Sequence, residues 1–114
     1  MMQYKVKREL FEEVMDITLT NSDIYTIQGE NIIYKDSNII SLSDFFFKCT
    51  KWAFTLTPKY TLGSFYRSCS IYKQVIGTNF ELLETFDNIN QKQALFDACH
   101  RILELRKIND TTKN

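Results

Sequence analysis

The sequence predicts an α+β domain: a two-layer sandwich with helices packed on a mainly antiparallel sheet of about five strands. Three observations carry this expectation. Apolar residues recur at helical spacing in two long stretches, at Leu42, Phe45, Cys49, Trp52, Ala53 and Leu56 and again at Leu95, Ala98, Cys99, Ile102 and Leu105. Between them lie short runs that alternate as strands do, and turn signals separate those runs. The element order reads α-β-β-β-α-β-β-β-α, a single domain over residues 1–108 followed by a polar tail, 109–114, expected to fray.

The first helix is expected over Lys5 to Met15, with Leu10, Phe11, Val14 and Met15 on one side and Arg8, Glu9, Glu12 and Glu13 on the other. Asp16 to Thr20 then turns extended, because Ile17, Thr18 and Thr20 are β-branched. Asn21-Ser22 is a turn signal, and Gly29-Glu30 sits between Asp23–Gln28 and Asn31–Lys35 as the loop of a hairpin. Asp36-Ser37-Asn38 closes this first part.

Ser41 or Ser43 caps the second helix, and Ser41-x-x-Asp44 resembles a capping box. Phe46, Phe47 and Phe54 widen its apolar stripe, so this helix is expected at the centre, with Trp52 buried between it and the sheet. Pro58 ends it, since the residue before proline is driven out of helical angles. Three strands follow, about Lys59–Tyr66, Cys69–Ile76 and Phe80–Phe86, with Gly77-Thr78-Asn79 as a compact turn. Phe80, Leu82 and Phe86 fall on one face of the third strand by simple alternation. Asn90 caps the last helix, Gln93 completes a capping box, and Ile89 is placed to staple against Ala94. Arg101, Arg106 and Lys107 lie toward its C-terminal end, where they suit the helix dipole.

With 114 residues, 44% of them hydrophobic and 14% aromatic, the chain has the apolar content of a folded domain. No apolar run approaches the roughly 18 residues of a membrane span. Met1-Met2-Gln3-Tyr4-Lys5 lacks the apolar segment of a secretory signal, so a cytoplasmic location is expected. Cys49, Cys69 and Cys99 are widely spaced with no CxxC pair, which points to free thiols in the core and away from zinc or dithiol redox chemistry. No cofactor is expected.

Little in the sequence points to catalysis. His100 is the single histidine, at the edge of the buried stripe, and Asp97 and Glu104 one turn away supply an ordinary helix-surface pairing. No Gly-rich phosphate loop, H-E-x-x-H or G-x-S-x-G pattern occurs. Glu81 and Glu84 have odd spacing, so on a regular strand they face opposite ways and do not converge as an acid–base pair. A non-enzymatic protein is therefore expected.

Net charge is zero but unevenly distributed: Glu9 to Asp44 carries eight acids and one base, whereas Phe45 to Phe80 carries five bases and no acid. Those five, Lys48, Lys51, Lys59, Arg67 and Lys73, form the candidate binding surface. The acidic part is expected to fold beside this segment and neutralise it, leaving a protein as the expected partner. Nucleic acid is the alternative, because helix-strand-strand-strand-helix is the order of double-stranded RNA-binding domains and Trp52, Tyr60, Phe65, Tyr66 and Tyr72 interleave with the bases. It is disfavoured: the last helix opens Gln91-Lys92-Gln93-Ala94, with one base where that class carries a lysine cluster, and the chain as a whole is neutral.

Glu9-Leu10-Phe11-Glu12-Glu13-Val14-Met15, Phe47-Lys48-Cys49-Thr50-Lys51-Trp52-Ala53 and the run from Gln93 to Leu103 resemble a group of small bacteriophage and prophage proteins. Members of that group read K-E-L-F-E-x-V-M, K-C-K-E-W-A and E-A-x-F-K-A-C-x-W-I-L at these places. The chain departs from them at Asn90-Gln91-Lys92, where the group has an acidic helix entry, and at Lys59-Tyr60, where it has Gly-Tyr. The shared motifs are core positions that carry no chemistry, so no functional residue is transferred. The resemblance implies an accessory protein of a mobile element, inhibition of a host protein being one form of that role.

Overall fold

The structure is a computed structural model that describes residues 3–112, with side chains described through Asn109. Its elements are α1 (Arg8–Met15), β1 (Tyr25–Gln28), β2 (Asn31–Tyr34), β3 (Asn38–Ser41), α2 (Leu42–Thr55), β4 (Tyr60–Phe65), β5 (Ser68–Gln74), β6 (Phe80–Asp87) and α3 (Gln91–Thr112). The α+β class and the antiparallel pairing are as expected. The single sheet of about five strands is not: two separate three-stranded sheets form, β1-β2-β3 and β4-β5-β6. Every ladder joins neighbours in sequence, and α2 follows β3 without a loop, so each sheet is a local meander and, among the described residues, no strand pairs across α2. The Cα extents of 43 × 37 × 18 Å leave room in the thin direction for two layers, since packed layers lie roughly 10 Å apart.

The expected strand over residues 16–20 is a loop held by α1. Ile17 N–H donates to Glu12 O (3.0 Å), Leu19 N–H to the Glu12 carboxylate (2.8 Å), and the Arg8 guanidinium to Thr20 O. The third strand of the first sheet is instead Asn38–Ser41, paired with β2 from Tyr34↔Asn38 to Asn31↔Ser41. Gly29 takes φ +60° in the β1–β2 loop, the conformation such a two-residue turn requires.

Helix α2 starts as read, with the Ser41 hydroxyl accepting from Asp44 N–H at 3.1 Å. At α3, Asn90 Oδ1 accepts from Lys92 N–H at 3.0 Å, but the expected capping box does not close. Asn88 Oδ1 already takes Asn90 N–H (3.0 Å), which leaves Gln93 available for another partner, and Ile89 is 76% exposed and staples nothing. Helix α3 continues to Thr112, into the 109–114 stretch expected to fray; Lys113 and Asn114 lie outside the described residues.

Strand β6 departs from simple alternation. Glu84 lies opposite Ile71 and Leu82 opposite Tyr72, so Leu83 is an extra residue in a β-bulge. The bulge resets the face of everything before it: Phe86 lies opposite buried Cys69, whereas Leu82 is 61% exposed. It also corrects the reading of Glu81 and Glu84. Their partners Lys73 and Ile71 share one face of β5, so the irregular strand brings both carboxylates to that face. Glu84 is held there by Arg101 Nε at 3.1 Å.

Two hydrophobic cores meet along α3. Phe96, Cys99 and Leu103 join Leu10, Phe11, Ile32, Leu42 and Phe45 against α1 and the first sheet. Ala94, Ala98 and Ile102 join Ala53, Tyr60, Cys69 and Ile71 against the second. Phe96 lies between Phe45 (centroids 5.9 Å apart, stacked) and Phe46 (6.1 Å, edge-on). Phe96→Ala would empty the junction of the first core and is expected to cost about 3–5 kcal/mol in urea denaturation. A loss under about 1 kcal/mol would contradict this packing.

Candidate functional site

Lys48, Lys51 and Trp52 share one face of α2 by helical spacing, and that face meets the C-terminal end of α1. Together with Val14, Met15 and Thr55 they line an open cleft of ≈ 350 Å³. Trp52 is not buried between α2 and the sheet, as the sequence suggests. It is half-buried, its ring packed against both cores and its Nε1–H donating to Glu13 Oε2 at 3.1 Å. An indole N–H needs an acceptor wherever its ring is covered, and Glu13 one helix away supplies it. The other oxygen of Glu13 accepts from the Arg106 guanidinium, so a single carboxylate ties α1, α2 and α3 together beside the cleft.

The five bases of residues 45–80 do not meet the acidic part of the chain as the sequence suggests; the structure gives those acids other partners. Glu9 pairs with Lys107, Glu13 with Arg106 and Glu30 with Lys92, all bases of α3. Among the described residues, none of Lys48, Lys51, Lys59, Arg67 and Lys73 is ion-paired with an acid. Three of these charges rest on aromatic faces instead. Lys51 Nζ lies 4.5 Å from the Phe47 centroid, Lys59 Nζ 4.6 Å from Phe54, and the Arg67 guanidinium 5.1 Å from Tyr66. Lys59 Nζ also donates to Phe54 O at 3.0 Å, closing the end of α2.

The five do not converge on one point. Lys48 and Lys51 lie together on the cleft, with Lys59 just past the end of α2. Lys73 is opposite Tyr60, whereas Arg67 turns the β4–β5 hairpin at the other end of that ladder, on the order of 20 Å away at strand rise. That hairpin tip is itself unusual. Phe65 and Tyr66 are 83% and 70% exposed, and Tyr66 sits at φ 56°, in the left-handed region that a bulky residue adopts only under strain.

His100 is not a surface residue paired with Asp97 or Glu104. It is half-buried, and its Nε2 accepts the backbone N–H of Lys7 at 3.0 Å. No hydroxyl, thiol or carboxylate is bonded to it among the described residues, so it has no activated nucleophile beside it. Burial and the neighbouring Lys7 charge hold its pKa below the ordinary imidazole value, against the opposing pull of Asp97 and Glu104. Nothing local in the sequence signals this contact, because its partner is a main-chain group on a distant segment.

The three cysteines are free and buried, as read, but the fold brings them close. Neighbouring Cys49, together with full burial, raises the pKa of Cys99 well above the usual thiol value. Burial, reinforced by Cys99, pushes Cys69 up to about 12. No group of three or more His, Cys, Asp or Glu among the described residues is arranged to hold a metal ion. No described helix is long and apolar enough to cross a membrane.

Buried thiols are out of reach of a reagent in solution, and only a thiolate reacts. All three cysteines are expected to resist alkylation by iodoacetamide at pH 8 in the native protein and to react at the rate of global unfolding. Rapid modification without denaturant would show that the core opens locally. No protein-family model, no curated protein and no solved structure matches the chain.

Proposed function

We propose that the protein is a non-enzymatic protein-binding accessory whose cleft between α1 and α2 takes an acidic, amphipathic segment of a partner protein. One observation carries the reading. Lys48 and Lys51 stand at the mouth of a cleft whose other walls include Val14, Met15 and Trp52, and among the described residues no acid is bonded to either lysine. Cations without an acidic partner beside an apolar floor complement a helix with carboxylates on one face and large apolar side chains on the other. Tryptophan at the centre of such a cleft is among the residue types that most often dominate binding energy. The resemblance to small phage and prophage proteins supports an accessory role in that setting, with a host protein as the target.

Nucleic acid is the second reading, favoured by the lack of acidic partners, among the described residues, for all five bases of the 45–80 segment. The spread of those bases weighs against it. A phosphate backbone is gripped by charges that follow its track, and Arg67 lies at the opposite end of the sheet from Lys73.

Trp52 is the single tryptophan, so its fluorescence reports on the cleft directly. A synthetic helical peptide of Glu and Leu, patterned with Leu on one face, is expected to shift its emission saturably. The double reversal Lys48→Glu and Lys51→Glu should weaken that binding at least tenfold, about 1.4 kcal/mol or more. Both lysines are exposed, so the reversal should change stability by no more than about 0.5 kcal/mol. An unmoved emission, or equal affinity in the reversed variant, overturns the cleft reading. Salt-sensitive micromolar binding of a mixed-sequence oligonucleotide, lost on reversing Lys51, Arg67 and Lys73, would replace it with the second.

A further inference from the structure

The expected first helix is longer than the observed one: residues 5–7 are not helical, Lys7 is extended, and Lys5 and Lys7 are bonded to α3. In an extended chain the N–H groups of alternate residues point the same way, and those of Lys5 and Lys7 both meet side chains of that helix. Gln93 Oε1 accepts Lys5 N–H at 2.7 Å and Gln93 Nε2 donates to Lys5 O at 3.0 Å, so one amide satisfies both main-chain groups of Lys5. The same Nε2 donates to Asp97 Oδ1 at 2.9 Å, which orients it. His100, seven residues further along α3, accepts Lys7 N–H. From the other side the Tyr25 hydroxyl of β1 donates to Val6 O at 2.7 Å, and Val6 itself is 5% exposed in the first core.

Residues 3–7 thus form a strap across the molecule, fastened by Gln93 and His100 on one side and by Tyr25 on the other, with the Tyr4 hydroxyl donating to Glu30 Oε1 at 3.2 Å. Cavities flank it: one of ≈ 430 Å³ toward Tyr25, Thr26 and Ile27, the other of ≈ 360 Å³ toward Asn88, Asn90 and Asp97. Gln3 and Lys5 line both, so the strap is the wall between them. Of these fastenings, that of His100 is the one whose chemistry changes between pH 5 and 8. Nε2 accepts a hydrogen bond only while unprotonated; the imidazolium would turn an N–H toward the N–H of Lys7.

We propose that His100 is a proton-operated latch, and that protonating its imidazole releases the strap and joins the two cavities into one groove between β1 and α3. The charged groups around the ring set the direction. Burial disfavours the imidazolium, as does Lys7 on the strap, while Asp97 and Glu104 on α3 favour it; the first pair prevails. The closed form therefore binds a proton less readily than the open one. Its advantage is complete above pH 6.5, the ordinary imidazole value, and shrinks as pH falls below it toward the closed-state value. The latch is shut at neutral pH and loosens in acid.

Amide hydrogen exchange followed by NMR on the full chain tests this. With rates corrected for intrinsic chemistry, opening at Lys5 and Lys7 is expected to rise on the order of tenfold between pH 7.5 and pH 5.0, one proton being taken up on opening. In His100→Gln, whose amide oxygen accepts a hydrogen bond without titrating, the same amides should show less than a threefold change. A rise under threefold in the wild-type chain overturns the latch. So does a rise in His100→Gln equal to the wild-type one, which would place the titrating group elsewhere.

Discussion

The fold depends on α3 being apolar on two faces at once. An ordinary surface helix buries one stripe, but α3 presents Phe96, Cys99 and Leu103 to one core and Ala94, Ala98 and Ile102 to the other. Residue size follows from that position. Alanines at 94 and 98 let the helix lie close on β4–β6, while Phe96 reaches across to Phe45 and Phe46. The two sheets share no ladder among the described residues, so the main thing joining them is this helix together with α2. A substitution along either stripe of α3 is felt in one core, whereas Trp52 and Leu62 pack against both.

Polar contacts complete what burial begins. The pairs that α3 makes with Glu9, Glu30 and Glu84 are exposed by a third or more at both partners, and such pairs contribute about 0–1 kcal/mol each. A single buried aromatic such as Phe96 outweighs several of them. What the polar contacts supply is position. Glu13, about a quarter exposed, fixes the indole of Trp52 by one oxygen and Arg106 by the other, so the rim of the α1–α2 cleft is set by a carboxylate answering to two helices. Gln93 plays the same part for the strap. Each places a main-chain or aromatic group that apolar packing alone would leave free to slide.

How much of this is legible in the sequence depends on the distance between partners. Strands β4, β5 and β6 are readable almost to the residue, because alternation and the Gly77-Thr78-Asn79 turn are local signals. Ser41 is readable as a cap for the same reason. The strap is not: Lys5-Val6-Lys7 reads as the first turn of an amphipathic helix, and what draws it straight is Gln93 and His100, far along the chain. Gln93 also shows how a sound local rule is displaced, since Asn88 takes the amide that a capping box would have used. The bulge at Leu83 leaves no composition signal, yet it decides the faces of Leu82, Glu81 and Phe80. At the candidate site, Lys48 and Lys51 are legible as a basic pair on one helix face, but the cleft beside them needs Val14 and Met15 to arrive from α1.

A neutral net charge says nothing about where the charges lie. The acids of residues 9–30 and the bases of α3 neutralise each other across the helical side of the molecule, and this leaves the bases of residues 45–80 without acidic partners among the described residues. Had the acids folded against that segment instead, Arg106, Lys107 and Lys92 would have been the cations left over, on a helix whose other faces are already committed to two cores. The observed pairing leaves positive charge beside the cleft and at the ends of the β4–β5 ladder, and aromatic rings carry Lys51, Lys59 and Arg67 at modest cost. Charges placed this way act over a Debye length of about 8 Å at physiological salt, so only neighbours such as Lys48 and Lys51 act as one patch. Arg67, beyond that range, rests on its own exposed neighbour Tyr66. Among the described residues the cations of residues 45–80 therefore fall into small, separate groups, Lys48 with Lys51 on the cleft, Lys59 and Lys73 at one end of the β4–β5 ladder and Arg67 at the other, and form no continuous basic face.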